Sequence, residues 1–444
     1  MDTKTIESLF TRQDGWILPK SGTIGRKAQN LLDNAAIIRE CGFELAHPSL
    51  VIPHEYLDDC PTYFALDLIN HFFPNTPRVG VSSNAPDEDF GKRKPGMFYS
   101  AAINHLDRPD CDNEVERVLY SYVIPSAKLR RQKLGLPEQG MCLLVRPFID
   151  NVNRSGSISN FGDISLITFT NHARWGMDSM QKPTCGKTWI DAQGRLLRDK
   201  TNTYEEHPII PELFDLVSRL PSLTDKGWEV EFLQTDKAGT ETLYAMQTTP
   251  IEKKVRFEVK DTPKNIFGAR EVVGFGEVLT KGIIYLPTVY DRESLIRLNE
   301  QHKGYCIVTE HTNISTDQTN IRRGNVLQYA DNARAVIDIS PMQSYKAGFG
   351  AHILQQFREE GVALAGYFTN ELQQIIPDEH TDRLRAVETG TIYSPTGLRI
   401  CADEFERKAT VELTTEIKPF IPLRDAIATR IRVSITNSTH QNLL

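Results

Sequence analysis

Residues 228–250 read WEVEFLQTDKAGTETLYAMQTTP. Apolar and polar residues alternate over 228–234, the period of a strand with two different faces. A second strand pattern covers 243–247, and residues 236–239 supply the turn between the two. In an extended chain Val230 and Phe232 take one face, while Glu229 and Glu231 share the other. The stretch therefore predicts an antiparallel strand pair that carries two carboxylates on one side.

Outward from this pair the chain alternates helix and strand. Residues 25–41 (GRKAQNLLDNAAIIREC) have apolar positions at helical spacing, with Leu31, Leu32, Ala35, Ala36 and Ile38 as the inward face. Gly42 is the expected terminator of that helix. Extended segments are expected at 48–53 and, as a buried strand, within 139–151 (QGMCLLVRPFIDN). After Pro250 the texture changes: residues 251–265 are charged and lack an apolar run, so a domain boundary is placed there. The second half follows with a glycine-rich start at 273–276, strands at 305–309 and 335–339, a helix at 352–360 and a β-rich end. The fold class is α/β (α+β), with one domain over residues 1–255 and a second over 256–444.

Composition narrows the function. The 444 residues carry 51 Lys+Arg against 58 Asp+Glu, a net charge of −7, so no basic excess is available to neutralise a nucleic acid. No apolar run reaches the roughly 20 residues of a membrane span. The first residues show neither a signal-peptide core nor a transit pattern, and a soluble, cytoplasmic chain is expected. The seven cysteines are scattered without a CxxC pair, and no HExxH occurs, which argues against disulfides and a structural zinc.

Four stretches of the first half, in order, resemble the nucleotide-binding domain of the phosphoenolpyruvate synthase and pyruvate phosphate dikinase family. Residues 25–31 (GRKAQNL) are similar to its G-x-K-x-x-x-L helix start, and 81–89 (VSSNAPDED) to its V-R-S-S-A-x-x-E-D segment. Residues 95–104, beginning Pro95-Gly96-Met97-Phe98, look like the A-G-x-x-x-T-x-L-N loop that covers phosphates. Residues 229–232 (EVEF) with Met246, Gln247 and Pro250 look like the D-I-E-W…L-Q-x-R-P pair that closes the domain. In the second half, residues 348–354 (GFGAHIL) with Arg358-Glu359 and Gly361-Val362 resemble the G-G-x-T-S-H-A-A-I…R-E-x-G-I-P phosphohistidine segment. The resemblance implies an ATP-grasp-type nucleotide-binding domain followed by a swivelling phosphohistidine-type domain. It does not extend to the barrel that binds phosphoenolpyruvate or pyruvate, so the acceptor would be a small molecule between the domains or a separate protein.

On this resemblance each candidate residue has a role and a plainer alternative. Lys27, at a helix start, would reach an ATP phosphate as a point charge; otherwise it is a solvated lysine. Gly96 would let the loop backbone approach phosphates, or it is a turn glycine. Glu231 and Gln247 would hold Mg²⁺, which takes one or two protein oxygens beside the substrate's phosphates; a solvent-facing sheet edge has the same alternation. His352 would be the phosphoryl carrier, its neutral imidazole attacking from a helix start preceded by Gly348 and Gly350; the alternative is an ordinary helix-terminal histidine. Two family arginines are replaced, by Ser82 and Thr249, and Arg78 and Arg146 are the nearby cations that would stand in for them at ATP. The Thr and Ser that precede the family histidine are Gly350 and Ala351 here. Gly274-Phe275-Gly276 starts like a dinucleotide fingerprint, but Leu279 occupies its third glycine position.

Three functions are compatible with this pattern. The first is an ATP-dependent phosphotransferase of the dikinase type, using ATP and Mg²⁺ and passing the phosphoryl group through His352. The second is a catalytically degenerate relative that binds a nucleotide or a partner. The third is ATP-grasp-type activation of an acceptor, leaving ADP. No nucleic-acid or membrane partner is expected.

Overall fold

The computed structural model describes residues 3–57, 61–88, 98–104, 108–170, 186–199, 209–223, 226–237, 239–252, 271–286, 303–309, 333–338, 358, 361–365, 391–393, 398–406, 408–413 and 419–422. The chain divides into two compact units, Met1–Met180 with Thr184–Lys253, and Gln181–Pro183 with Lys254–Leu444. The first combines helices with strands, and the described elements of the second are strands.

The first unit holds two six-stranded sheets. The first sheet contains β1 (Phe10–Gln13), β2 (Trp16–Pro19), β3 (Ser49–Ile52), β4 (Arg78–Ser83), β5 (Ser100–Asn104) and β6 (Leu143–Pro147), in the order β1-β2-β3-β6-β4-β5. Only its β2/β3 pair is parallel. The second sheet contains β7 (Val152–Asn160), β8 (Ile164–Thr170), β9 (Gly186–Asp191), β10 (Leu196–Asp199), β11 (Lys226–Lys237) and β12 (Thr240–Glu252), in the order β10-β9-β8-β7-β11-β12. Every pair in it is antiparallel. The helices are α1 (Thr3–Leu9), α2 (Arg26–Glu40), α3 (Pro61–Phe72), α4 (Arg108–Tyr120), α5 (Pro125–Leu134) and α6 (Ile210–Arg219).

Two hydrophobic cores share the first sheet. Val79, Val81, Leu143 and Val145 pack on one face against Leu68 of α3 and Val115 and Val118 of α4. From the other face Val51 and Leu144 meet Leu31 and Ile38 of α2, Leu213 of α6, and Val230 and Phe232 of the second sheet. Burial on both faces explains why residues 141–145 (MCLLV) are apolar without alternation.

Helix α2 forms where its periodicity predicts and ends as predicted: Gly42 takes a φ of 81°, and its N–H bonds to the carbonyl of Arg39. Its inward face differs from expectation. Ala36 is exposed, and the buried positions are Ala28, Asn30, Leu31, Asn34 and Ile38. Asn34 enters the core with its amide nitrogen partnered, donating to the Asn30 carbonyl at 2.9 Å and to Thr248 Oγ1 at 3.3 Å.

The second unit has a seven-stranded sheet, made of β13 (Glu271–Val273), β15 (Ile283–Leu286), β16 (Cys306–Thr309), β17 (Ala335–Asp338), β18 (Val362–Ala365), β19 (Thr391–Tyr393) and β22 (Pro419–Pro422). Strands β15 to β18 run parallel to one another. A smaller antiparallel sheet joins β14 (Phe275–Leu279), β20 (Leu398–Asp403) and β21 (Lys408–Leu413). The helix expected at 352–360 lies outside the described residues, apart from Arg358.

One titration in the first unit has a definite sign. Burial pushes His47 below the ordinary imidazole range, and the positive charges of Arg39 and Arg146 add to the effect, opposed by the Gly15 carbonyl and Asp14. An Arg39 nitrogen lies 3.4 Å from His47 Nε2, which makes that nitrogen an acceptor on a neutral ring. The folded protein then binds fewer protons than the unfolded chain below about pH 6.5, so stability is complete above that pH and falls as acid is added. Urea midpoints measured between pH 7.5 and 5.5 should drop further for the wild type than for His47→Gln.

Candidate functional site

The first two motifs of the sequence meet at the start of α2. Gly25 lies against residue 84 so closely that a Cβ would sit 1.6 Å from the Asn84 carbonyl oxygen, which only glycine tolerates. Asn84 Oδ1 accepts the Ala28 N–H at 3.1 Å, so the cap of α2 comes from the end of β4 rather than from Gly25. Asn84→Ala should therefore destabilise the first unit by about 1–2 kcal/mol, because a buried N–H loses its acceptor. A lowered thermal midpoint checks this, and an unchanged one would assign the cap elsewhere.

Lys27 stands in the first turn of α2, and it is not a freely solvated lysine. Its Nζ lies 2.9 Å from Glu88 Oε1 and donates to Ser83 Oγ at 3.2 Å, and both ends of the ion pair are largely buried. Buried Arg130 of α5 donates to the main-chain carbonyls of Asp87 at 3.0 Å and Glu88 at 3.2 Å, which fixes the segment that carries Glu88. Gly96 and His352 lie outside the described residues.

The strand pair that decides the fold forms the second part of the site. Strands β11 and β12 pair antiparallel, with Glu229 opposite Thr249 and Glu231 opposite Gln247. On the other side of β11, Glu229 pairs with Ser159 and Glu231 with Ser157, and Ser157 pairs in turn with Thr168. Val230, Phe232, Ile158 and Ile167 fill the apolar core from the opposite face of the sheet. The second sheet thus has one apolar face and one face of hydroxyls, an amide and two carboxylates. Glu229 and Glu231 are only 1% and 4% exposed, so both carboxylates are withdrawn from solvent, while Gln247 beside them is partly exposed. Burial of this kind is costly for carboxylates and marks a functional-site candidate.

The two strands are out of step at one point. Glu231 pairs with Gln247 but Phe232 with Ala245, so Met246 is an extra residue in β12, a β-bulge. Arg146 of β6 donates from Nη1 to the Met246 carbonyl at 2.8 Å. Burial pushes the Arg146 guanidinium down to about 10, against the upward influence of the Glu231 charge. Gln247 Nε2 donates to Thr249 Oγ1 at 2.9 Å, which leaves the amide oxygen as the group to meet a cation. Ser82, in place of a family arginine, is a partly exposed residue of β4 beside Leu144.

Among the described residues no group of three or more His, Cys, Asp or Glu is placed to hold a metal ion. The donors present still fit Mg²⁺ of the nucleotide-bound kind, which needs only one or two protein oxygens, here the Glu231 carboxylate and the Gln247 amide oxygen. Also among the described residues, no helix is long and apolar enough to cross a membrane.

The sequence alone points to no role for Glu88, Asn84 or Met246. Glu88 stood in the quoted acidic motif and could have been noticed as a partner for Lys27. The bulge at Met246 leaves no mark in the sequence, because only the strand register reveals it.

No family model matches the chain, and no curated protein matches it. Solved structures are similar in part. A D-alanine–D-alanine ligase from Helicobacter pylori shares 12% identity over 52% of this chain and 55% of its own, with a TM-score of 0.26. The chain thus spans about half the length of that enzyme. An ATP citrate lyase from Methanothrix soehngenii, in complex with citrate and coenzyme A, shares 12% identity over 73% of this chain and 91% of its own, with a TM-score of 0.28. A dinucleotide-forming acetyl-coenzyme A synthetase from Ca. Korarchaeum cryptofilum shares 9% over 50% and 91%, with a TM-score of 0.29. Similarities at these levels assign neither fold nor activity to this chain.

Proposed function

We propose that the first unit is an ATP-grasp-type nucleotide-binding domain that takes ATP with Mg²⁺ on the polar face of its second sheet. The observation that carries this reading is the register of Glu231 opposite Gln247 on a buried face of hydroxyls and carboxylates. Glu231 and Gln247 would hold the cation, which when bound spreads the charge of the phosphate oxygens. Lys27 would supply a positive charge to a phosphate at the start of α2, and Gly96 a close backbone approach. A nucleotide phosphate would take the Lys27 ammonium in competition with the Glu88 carboxylate.

The reaction proposed is dikinase-type phosphoryl transfer. In it ATP and water yield AMP and phosphate, with one phosphoryl group carried on a nitrogen of His352 and passed to a small-molecule or protein acceptor. The support for this step is the resemblance of residues 348–362 to a phosphohistidine segment. Intact-protein mass spectrometry after incubation with ATP and Mg²⁺ tests it, with nucleotide products separated in parallel. An acid-labile gain of one phosphoryl group that His352→Ala lacks, accompanied by AMP, is expected. ADP without a phosphoenzyme would favour direct activation of an acceptor and contradict the relay.

One set of observations favours a second reading, nucleotide binding without turnover. Lys27 is held by Glu88, and Thr249 engages the Gln247 amide where the family places an arginine. Saturable nucleotide binding with neither AMP nor ADP released would select it.

A further inference from the structure

We infer that Arg146 is a positioning residue: by holding the bulge at Met246 it sets Gln247 beside Glu231 as a second oxygen donor for the nucleotide's cation. This rests on the proposed nucleotide site and replaces the expectation that Arg146 touches ATP.

In a regular strand residues 245 and 247 point to the same face. Here Ala245 is fully buried in the apolar core opposite Phe232, whereas Gln247 pairs with Glu231 on the polar face. The one extra residue, Met246, makes both placements hold together. With a regular ladder in its place, either Gln247 would turn into the core or Ala245 would leave it, since a slip by one residue exchanges the faces.

A bulged residue drops out of the ladder, so its carbonyl needs another donor where water is excluded. Arg146 supplies one at 2.8 Å. Its own placement is fixed by the first sheet. It follows Leu144 by two residues on β6, so both share the face turned to the core between the sheets, and it pairs there with Gly80 of β4. Arg146 is 9% exposed, and its guanidinium is balanced by the Glu231 charge and the Met246 carbonyl dipole. A rigid fork on a buried strand suits the fixing of a neighbouring backbone. Arg146 thereby ties the register of β12 to a different sheet, and the spacing of Glu231 and Gln247 follows from it.

The test uses the full chain and two binding measurements. Mn²⁺ binding in the presence of a non-hydrolysable ATP analogue is read by electron paramagnetic resonance, and affinity for the same analogue is read in EDTA. Arg146→Met should weaken Mn²⁺ binding about tenfold while the metal-free nucleotide affinity stays unchanged. Arg146→Lys, which keeps a donor, should recover part of the loss. Equal Mn²⁺ affinity in the wild type and the Met variant overturns the inference. A parallel fall in metal-free nucleotide affinity also overturns it, by making Arg146 a direct nucleotide contact. Should the Met variant fail to fold, Arg146→Gln, with a donor too short for the span, is judged by the same split. A wild type that binds neither nucleotide nor Mn²⁺ removes the proposed function itself, a result distinct from a wild type and variant that bind equally.

Discussion

Glu231→Gln should weaken divalent-cation binding in the presence of nucleotide by about 100-fold, the largest functional effect expected of any single change in the first unit. The substitution keeps shape and volume and removes the one charged donor proposed for the cation. Gln247 would remain, but a neutral amide oxygen alone holds a hard divalent ion poorly. Glu229→Gln should cost less, because Glu229 lies opposite Thr249 rather than Gln247. Titrations of Mn²⁺ into the two variants, at a fixed concentration of a non-hydrolysable ATP analogue, decide between them. Equal losses would show that the two carboxylates act as a pair, and no loss at Glu231 would move the cation elsewhere.

Glu404→Ala should destabilise the second unit by about 3–5 kcal/mol, the largest stability effect expected. Arg358 and Glu404 are 1% and 3% exposed, and they are joined by bonds of 2.9 Å from both Nε and Nη2. The Gly274 N–H adds a third donor to Glu404 Oε2 at 3.1 Å, and the Glu404 N–H returns to the Gly274 carbonyl at 3.1 Å. Truncating Glu404 leaves a guanidinium in the interior with its counter-charge gone, and the cost arises there rather than from the attraction lost. The double variant Arg358→Met/Glu404→Leu should recover much of the loss, since two apolar side chains leave no stranded charge. Hydrogen exchange of peptides covering 271–286 and 398–413 under increasing urea would follow this unit separately. A single variant as stable as the wild type would show that water reaches the pair.

The parts of the fold that depend on local pattern were legible. Residues 26–40 form a helix because their apolar spacing and the following Gly42 agree. The strands at 226–237 and 240–252 pair as the alternation and turn residues require, with Asp236 Oδ1 accepting the Gly239 N–H at 2.9 Å. Ala36 is exposed where the pattern places it inward, because helical periodicity ranks alanine above asparagine for the core. Asn34 displaces it through bonds to Asn30 and Thr248, and Thr248 lies 214 residues away in the chain.

The candidate site was legible as residue types but not as contacts. The motifs mark Lys27 and Glu231 as candidates by residue type, and the structure adds what they touch: Glu88 and Ser83 for Lys27, and the facing Gln247 for Glu231. The pairing of Lys27 with Glu88 depends on β4 ending beside the start of α2, a tertiary fact. Arg146 was noticed as a cation near the motifs, but its partner is a backbone carbonyl 100 residues further along. A backbone contact leaves no residue-type signal, so spacing alone does not reveal it.

Calorimetric titration of ATP into the full chain, once with Mg²⁺ in excess and once in EDTA, asks most directly whether the first unit binds a nucleotide with a cation. A nucleotide-binding unit built around Glu231 and Gln247 predicts saturable one-to-one binding that tightens at least tenfold with Mg²⁺. Binding of equal strength in both titrations, or heat of dilution alone in both, would contradict it.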